Sequence, residues 1–175
     1  MAKRVAVLAV DPVNGAGLFQ YLEAFFENGI RYKVFAVADT NNIKTNSGIE
    51  LKTDDTVAHL QGHADDFDAL VFSCGDAVPV FGQHESERYN IALLNVIREF
   101  ADKDKLMIGH CAAALIFELA GVGKGKRLAV HPLAKPAIRE GVPTDAPLET
   151  DGNYYTAQSE HTIPAMMPEL LKALK

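Results

Sequence analysis

"LMIGHCAAALIFELAG" (residues 106–121) is the stretch that decides how this chain is read. An apolar run of Leu106, Met107 and Ile108 meets Gly109-His110-Cys111, and an alanine-rich apolar helix begins with no linker between them. The form Gly-x-nucleophile-x-small marks a tight strand-to-helix corner. Small flanking residues let strand and helix pass closely and force the central residue onto the turn. Here the last small position is Ala113 instead of glycine. A sulfur in the first turn of a helix faces the helix's positive end and unpaired N–H groups, and both favour thiolate over thiol. Cys111 is therefore the candidate reactive group, against the alternative of a small hydrophobe packed in a core.

The rest of the chain supplies a frame for such a corner. "RVAVLAV" (4–10), "YKVFAVA" (32–38), "DALVFSC" (68–74) and "KLMIG" (105–109) are apolar without alternating, as expected of parallel strands covered on both faces. Between them lie helical patterns. In "GLFQYLEAFFENG" (17–29), Leu18, Leu22, Phe25 and Phe26 share a face, and Gly29 is a stop signal. "SERYNIALLNVIREFADK" (86–103) repeats Leu93, Val96, Ile97 and Phe100, and "IPAMMPELLKAL" (163–174) repeats Ile163, Met167, Leu170, Leu171 and Leu174. These stripes read as core. "SGIELKTDDTV" (47–57) and "APLETDGNYYTAQ" (146–158) read as small β additions, the second with an Asp151-Gly152 hairpin turn. Alternating strands and helices predict a flavodoxin-like, doubly wound α/β three-layer sandwich with a mostly parallel central sheet. With no linker, repeat or low-complexity segment, residues 1–175 are expected to form one domain.

Composition narrows the function. A net charge of −6 and scattered Lys and Arg argue against nucleic acid or an anionic membrane as the partner. The densest basic patch, "GKGKR" (123–127), reads as a solvated turn. The opening "MAKRVAVLAV" is too short for a membrane span and lacks a signal peptide's cleavage region. With only two cysteines, Cys74 and Cys111, the expected address is a reducing cytoplasm with both thiols free.

Two further segments converge on the corner. "VFSCGD" (71–76) is the turn after a neighbouring strand, so Gly75 can present its N–H toward Cys111 and, with the N–H of Ala112, form an oxyanion hole. Cys74 is then a neighbour of Cys111, either packed or paired with it in redox chemistry. "RLAVHPLAKP" (127–136) ends a short strand in His131-Pro132, where an imidazole can handle a proton near the thiol.

The three pieces together resemble the ThiJ/PfpI superfamily, with its class I glutamine-amidotransferase-like fold. The resemblance runs from "KRVAVLAV" through "SCGD" and "IGHCAAALIFELAGVGKGKRLAVHP" to the closing "TDGNYYTAQSEHTIPAMMPELLKAL". It implies a reactive elbow cysteine at Cys111, N–H donors at Gly75 and Ala112, a homodimer or larger assembly, and no cofactor. Members are described as intracellular proteases or amidases, glyoxalases and deglycases, isonitrile hydratases, chaperones and oxidative-stress sensors, so membership does not choose a reaction.

Two positions depart from the family pattern. The acidic residue that usually polarises the thiol would fall in "VDPVNGAGLFQYLEAF" (10–25), where Gly17 stands at the matching position and Asn14 three residues earlier. The histidine that directly follows the nucleophile in the protease-like branch is Ala112. The loop "DAVPVFGQHESE" (76–87) offers Asp76, Glu85 and Glu87 without clear register, and His110, His131 and His161 are the candidate substitutes. On a strand step His110 should point away from Cys111 and pack.

These residues leave three readings. The first is a cysteine-dependent hydrolase, amidase or glyoxalase-type enzyme on a small carbonyl or amide substrate, with Cys111, His131, Gly75 and Ala112 catalytic. Cys74, Asn14, Gly17 and His161 would then line its substrate site. The second is a redox-sensing or chaperone-like dimeric stress protein without catalysis. The third is a metal site drawn from Cys74, His84, His110, Cys111, His131 and His161, which no recognised ligand spacing supports.

Overall fold

In a computed structural model describing residues 3–175, the chain builds a seven-stranded sheet with helices on both faces. In chain order its main elements are β1 (Arg4–Val10), α1 (Gly15–Glu27), β2 (Arg31–Val37), β3 (Asn42–Lys44), β4 (Glu50–Lys52), β5 (Asp55–Thr56) and α2 (Val57–Leu60). There follow β6 (Ala69–Ser73), α3 (Arg88–Asp102), β7 (Leu106–His110), α4 (Ala113–Leu119), β8 (Arg127–Ala129), β9 (Val142–Thr144), β10 (Leu148–Asp151), β11 (Tyr154–Ala157) and α5 (Ile163–Leu174).

The sheet order is β10-β11-β7-β6-β1-β2-β5. Every pairing is parallel except β10 with β11, which form the expected hairpin with its turn one residue later than expected, at Gly152-Asn153, because Asp151 still pairs with Tyr154. Residues Val5–Val10 of β1 and all of β6 are buried, which explains their unbroken apolar sequence: both faces are covered. Helices α1 and α5 pack on one face, and α2, α3 and α4 on the other. Phe25, Phe72, Phe100 and Phe117 are fully buried between the layers.

Local chemistry sets the boundaries. Helix α1 starts two residues before the expected Gly17 because Asn14 caps it, its side-chain oxygen accepting the Gly17 N–H. It stops before Gly29, whose φ of +67° suits glycine. The expected β addition at 47–57 holds only β4 and β5, and β4 pairs antiparallel with β3, outside the expected stretch. Strand β8 lies outside the main sheet, paired with β9. It is tied back to β11 where the buried Thr156 Oγ1 accepts the Ala129 N–H at 2.8 Å.

The chain runs from β1 out to β2 and then returns to place β6 on the other side of β1, so the topological switch lies between β1 and β6. In such sheets the crevice beyond the strands' carboxyl ends at the switch is where ligands sit. Cys74 follows β6 and Cys111 follows β7 at that edge. No helix among the described residues is long and apolar enough to cross a membrane.

Candidate functional site

Strands β6 and β7 run in parallel register with Phe72 opposite Gly109, so two residues further on Cys74 comes opposite Cys111. Neighbouring strands lie roughly 4.8 Å apart, and the two thiols come together at the carboxyl ends of these two strands.

Cys111 has φ +59°, in the left-handed region that a residue with a Cβ rarely adopts. Such a conformation costs about 1–3 kcal/mol and persists only when its surroundings overdetermine it. Here both peptide groups of the corner are pinned. The Cys111 N–H donates to Ala157 O at 3.0 Å, and its carbonyl accepts the His131 N–H at 2.9 Å. Gly109 makes the close approach of α4 possible, because a Cβ there would lie 2.3 Å from that of Ala113. The corner thus has the geometry read from "GHCAA", and it leaves Cys111 half-buried at the wall of a crevice of about 510 Å³.

The electrostatics separate the two thiols. The Cys74 thiol contact holds Cys111 below the ordinary thiol range, and the Ala112 N–H adds to the effect; partial burial and the carboxylates of Glu160 and Asp76 oppose it. The same contact, with burial, pushes Cys74 well above that range. The buried Cys74 therefore stays a thiol, its proton directed at the Gly75 carbonyl, and Cys111 is the sulfur of the pair that ionises more readily.

The space for that acid is closed. A Cβ on Gly17 would lie 2.4 Å from His110 Nε2, so a side chain at 17 and the His110 ring exclude one another. His110 is buried beneath α1, its Nδ1 3.4 Å from the Tyr21 hydroxyl. Burial lowers its pKa to about 4, with Glu160 pulling the other way, so the ring is neutral at ordinary pH. Burial also drives the Tyr21 pKa upward, which keeps the hydroxyl protonated beside Nδ1. The ring's Nε2 has no hydrogen-bond partner among the described residues.

Other expected residues fall into place with differing roles. Asn14, Cys74, Gly75, Ala112 and His131 line the crevice with Cys111. Gly75 is where β6 leaves the sheet against α1: a Cβ would lie 2.2 Å from Pro12 O, and the adjacent Cys74 O accepts the Asn14 N–H at 2.9 Å. Its own N–H faces the Cys74 sulfur, and the Ala112 N–H faces both sulfurs. His131 accepts the Leu133 N–H at Nδ1 (3.2 Å), so its neutral ring carries a proton at Nε2 and offers a donor there.

Gly17 and His161 stand outside the lining. Gly17 is sealed behind the His110 ring, and His161 is exposed to solvent, where it approaches Glu160 at 3.7 Å. The residue beside it, Glu160, lines the crevice instead, as do Asp76 and Asn46. Sequence reasoning reached for the histidine in "AQSEHTIP" and passed over its acidic neighbour; only the path of the chain between β11 and α5 distinguishes them. His84 lies along a separate pocket against Phe81 and Tyr89. Among the described residues no three His, Cys, Asp or Glu side chains come together as a metal-holding group.

Relatives place this chain in a known family. The DJ-1/PfpI family model matches residues 3–173. Protein ppBat of Bacteroides thetaiotaomicron is 65% identical over 175 residues, covering 100% of both chains. An uncharacterized protein of Methanocaldococcus jannaschii is 27% identical over 179 residues, covering 99% of this chain and 83% of its own. Among solved structures, a Bacteroides thetaiotaomicron protein carrying the provisional name protease I superposes with a TM-score of 0.98 at 64% identity, over 99% of this chain and 100% of that one. Drosophila melanogaster DJ-1beta shares the fold at a TM-score of 0.85 and 20% identity, over 99% and 91%. By its sequence over nearly its whole length, the chain belongs to the DJ-1/PfpI family.

Proposed function

We propose that this protein is a cysteine-dependent hydrolase of small carbonyl or amide compounds, with Cys111 as nucleophile. The observation that carries the reading is the left-handed backbone of Cys111, pinned at both peptide groups, with its thiol held low by Cys74 at a crevice wall. Strain of this kind at a non-glycine residue has a use when it aims a reacting atom. The name protease I of the B. thetaiotaomicron relative is consistent with this class.

In the reaction the Cys111 thiolate attacks the carbonyl carbon, a C–S bond forms, and the carbonyl π pair moves onto oxygen. The Ala112 N–H, followed by that of Gly75, stabilises the oxyanion; their present sulfur acceptors are weak and readily exchanged. Collapse expels the leaving group, which takes its proton from water in the open crevice, and a second water cleaves the thioester and restores the thiolate. His131 serves as a hydrogen-bond donor through Nε2. Taking a proton there would require the other tautomer and cost the Leu133 contact.

The test is a panel of small p-nitroanilides and thioesters, with acyl-enzyme trapped at low pH and located by peptide mass spectrometry. An adduct on Cys111 is expected. No turnover, and no adduct with any member, contradicts the reading.

One observation favours a second role. The Cys74 thiol lies against Cys111, placed to resolve an oxidised sulfur. The Cys111 thiolate attacks a peroxide oxygen, the O–O bond breaks with release of water or alcohol, and the sulfenic acid formed condenses with the Cys74 thiol. A disulfide results and a second water leaves. Limiting hydrogen peroxide should then produce a Cys74–Cys111 linked peptide; untouched thiols at millimolar peroxide contradict it. Assembly as a homodimer, which the family resemblance implies, is checked by sedimentation equilibrium.

A further inference from the structure

The Cys111 crevice has a one-sided charge. Its polar lining consists of Asn14, Asn46, Asp76, His110, His131 and Glu160, with no Lys or Arg. Asn14 and Asn46 use their side-chain oxygens to accept the N–H groups of Gly17 and Asp76, and remain neutral. His110 is kept neutral by burial. Neither carboxylate is compensated by a Lys or Arg ion pair among the described residues: Asp76 has no salt bridge, and Glu160 has only the solvent-exposed His161 at 3.7 Å. Both carboxylates act on the Cys111 sulfur itself, since each opposes its ionisation.

For a site built to hold a thiolate, two uncompensated negative charges are a cost. An anion in the crevice would meet three negative charges, and a carboxylate or phosphate ester would find no cation to receive it. A cation would offset the repulsion and favour the ionised sulfur. The opposite wall is apolar, formed by Leu115, Ala134, Ala137 and the 87%-exposed Leu133.

We infer that the crevice selects substrates bearing a positive charge close to the reacting carbonyl, an ammonium or guanidinium that Asp76 and Glu160 hold, and turns away carboxylate- and phosphate-bearing analogues. This rests on Cys111 being the reacting group and adds the class of substrate it accepts. The assignment is physical: like charges in a narrow cleft repel a ligand before contact, and opposite charges raise its local concentration.

The experiment reads Cys111 without needing turnover. The intact protein is treated with two methanethiosulfonates of similar size, one carrying a trimethylammonioethyl group and one a sulfonatoethyl group. In each the Cys111 thiolate attacks the sulfenyl sulfur, a disulfide forms and methanesulfinate leaves. Rates are divided by those of 2-mercaptoethanol, which removes the reagents' intrinsic difference. The cationic reagent is expected to be faster by about tenfold at ~0.01 M salt, the advantage shrinking toward unity at ~1 M salt as screening shortens the field. The Asp76→Asn/Glu160→Gln double variant, which loses no hydrogen bond of either side chain, should bring the ratio near one at low salt while its circular dichroism is unchanged. Equal rates, a faster anion, or a ratio unaffected by the double variant overturns the inference while leaving Cys111 as nucleophile intact. If neither reagent modifies Cys111, the nucleophile reading falls and the inference with it.

Discussion

Two strand ends stand side by side at the carboxyl edge of the sheet, each closing on a cysteine, and they have opposite chemistry. At the end of β6, Cys74 is buried, its thiol is pushed up, and the next residue, Gly75, turns the chain flat against Pro12. At the end of β7, Cys111 is half-buried and its thiol is held low. It stands at a left-handed corner fixed by hydrogen bonds to Ala157 and His131. Residue type does not separate them. Exposure does: the buried thiol cannot ionise cheaply, and its half-buried neighbour can. Two cysteines in register across a parallel pair thereby divide into one thiol held high and one held low.

The sharpest way to break this division is to remove the Cys111 sulfur. Cys111→Ala should reduce hydrolysis of any substrate found by more than about a thousandfold while the far-UV circular dichroism is retained. Retained activity would move the chemistry away from the β7 corner altogether.

The β7 corner has a second side, where His110 points beneath α1. Its folded pKa of about 4 lies below the ordinary 6.5, so between those values the unfolded chain binds a proton that the folded chain refuses. Stability contributed this way is present above about pH 6.5 and lost as pH falls toward 4, by up to about 3 kcal/mol. Urea titrations across pH 4–7 should show that slope, and His110→Gln should flatten it. A wild-type stability that does not fall over this window would mean that the ring is solvated and the corner is open.

Gly17 tests the same side from the helix. Gly17→Ala puts a Cβ 2.4 Å from His110 Nε2 and should cost about 1–3 kcal/mol in denaturant unfolding. Paired with His110→Ala, the substitution should cost less than the sum of the two singles. Additive effects would show that the ring and position 17 do not compete for one space. The smallest effect belongs to β6: Cys74→Ala removes the neighbouring thiol that holds Cys111 low and should move the Cys111 alkylation midpoint upward, as followed by peptide mass spectrometry. An unmoved midpoint would leave the Ala112 N–H as sufficient.

Much of this frame was legible in the sequence. Non-alternating apolar runs placed β1, β2, β6 and β7 to within a residue or two, because strands buried on both faces have no polar face to interrupt them. "GHCAA" was legible because a tight corner restricts residue size along the chain itself. The effect of Cys74 on the Cys111 thiol was not, because it depends on register between strands separated by a long connection. Gly17 read as a missing acid, whereas in space it is room for an imidazole contributed by β7. Glu160 and His161 are adjacent in sequence and face different surroundings, a distinction set by the turn that Ser159 and Thr162 close with their hydroxyls before α5.

The most direct test of the division between the two thiols is the pH dependence of iodoacetamide alkylation, read separately at Cys74 and Cys111 by peptide mass spectrometry. The account predicts that Cys111 reacts with a midpoint below that of a free thiol, about 8.5, and that Cys74 stays unmodified until well above it. A Cys111 midpoint at or above that value, or a Cys74 that reacts first, would contradict it.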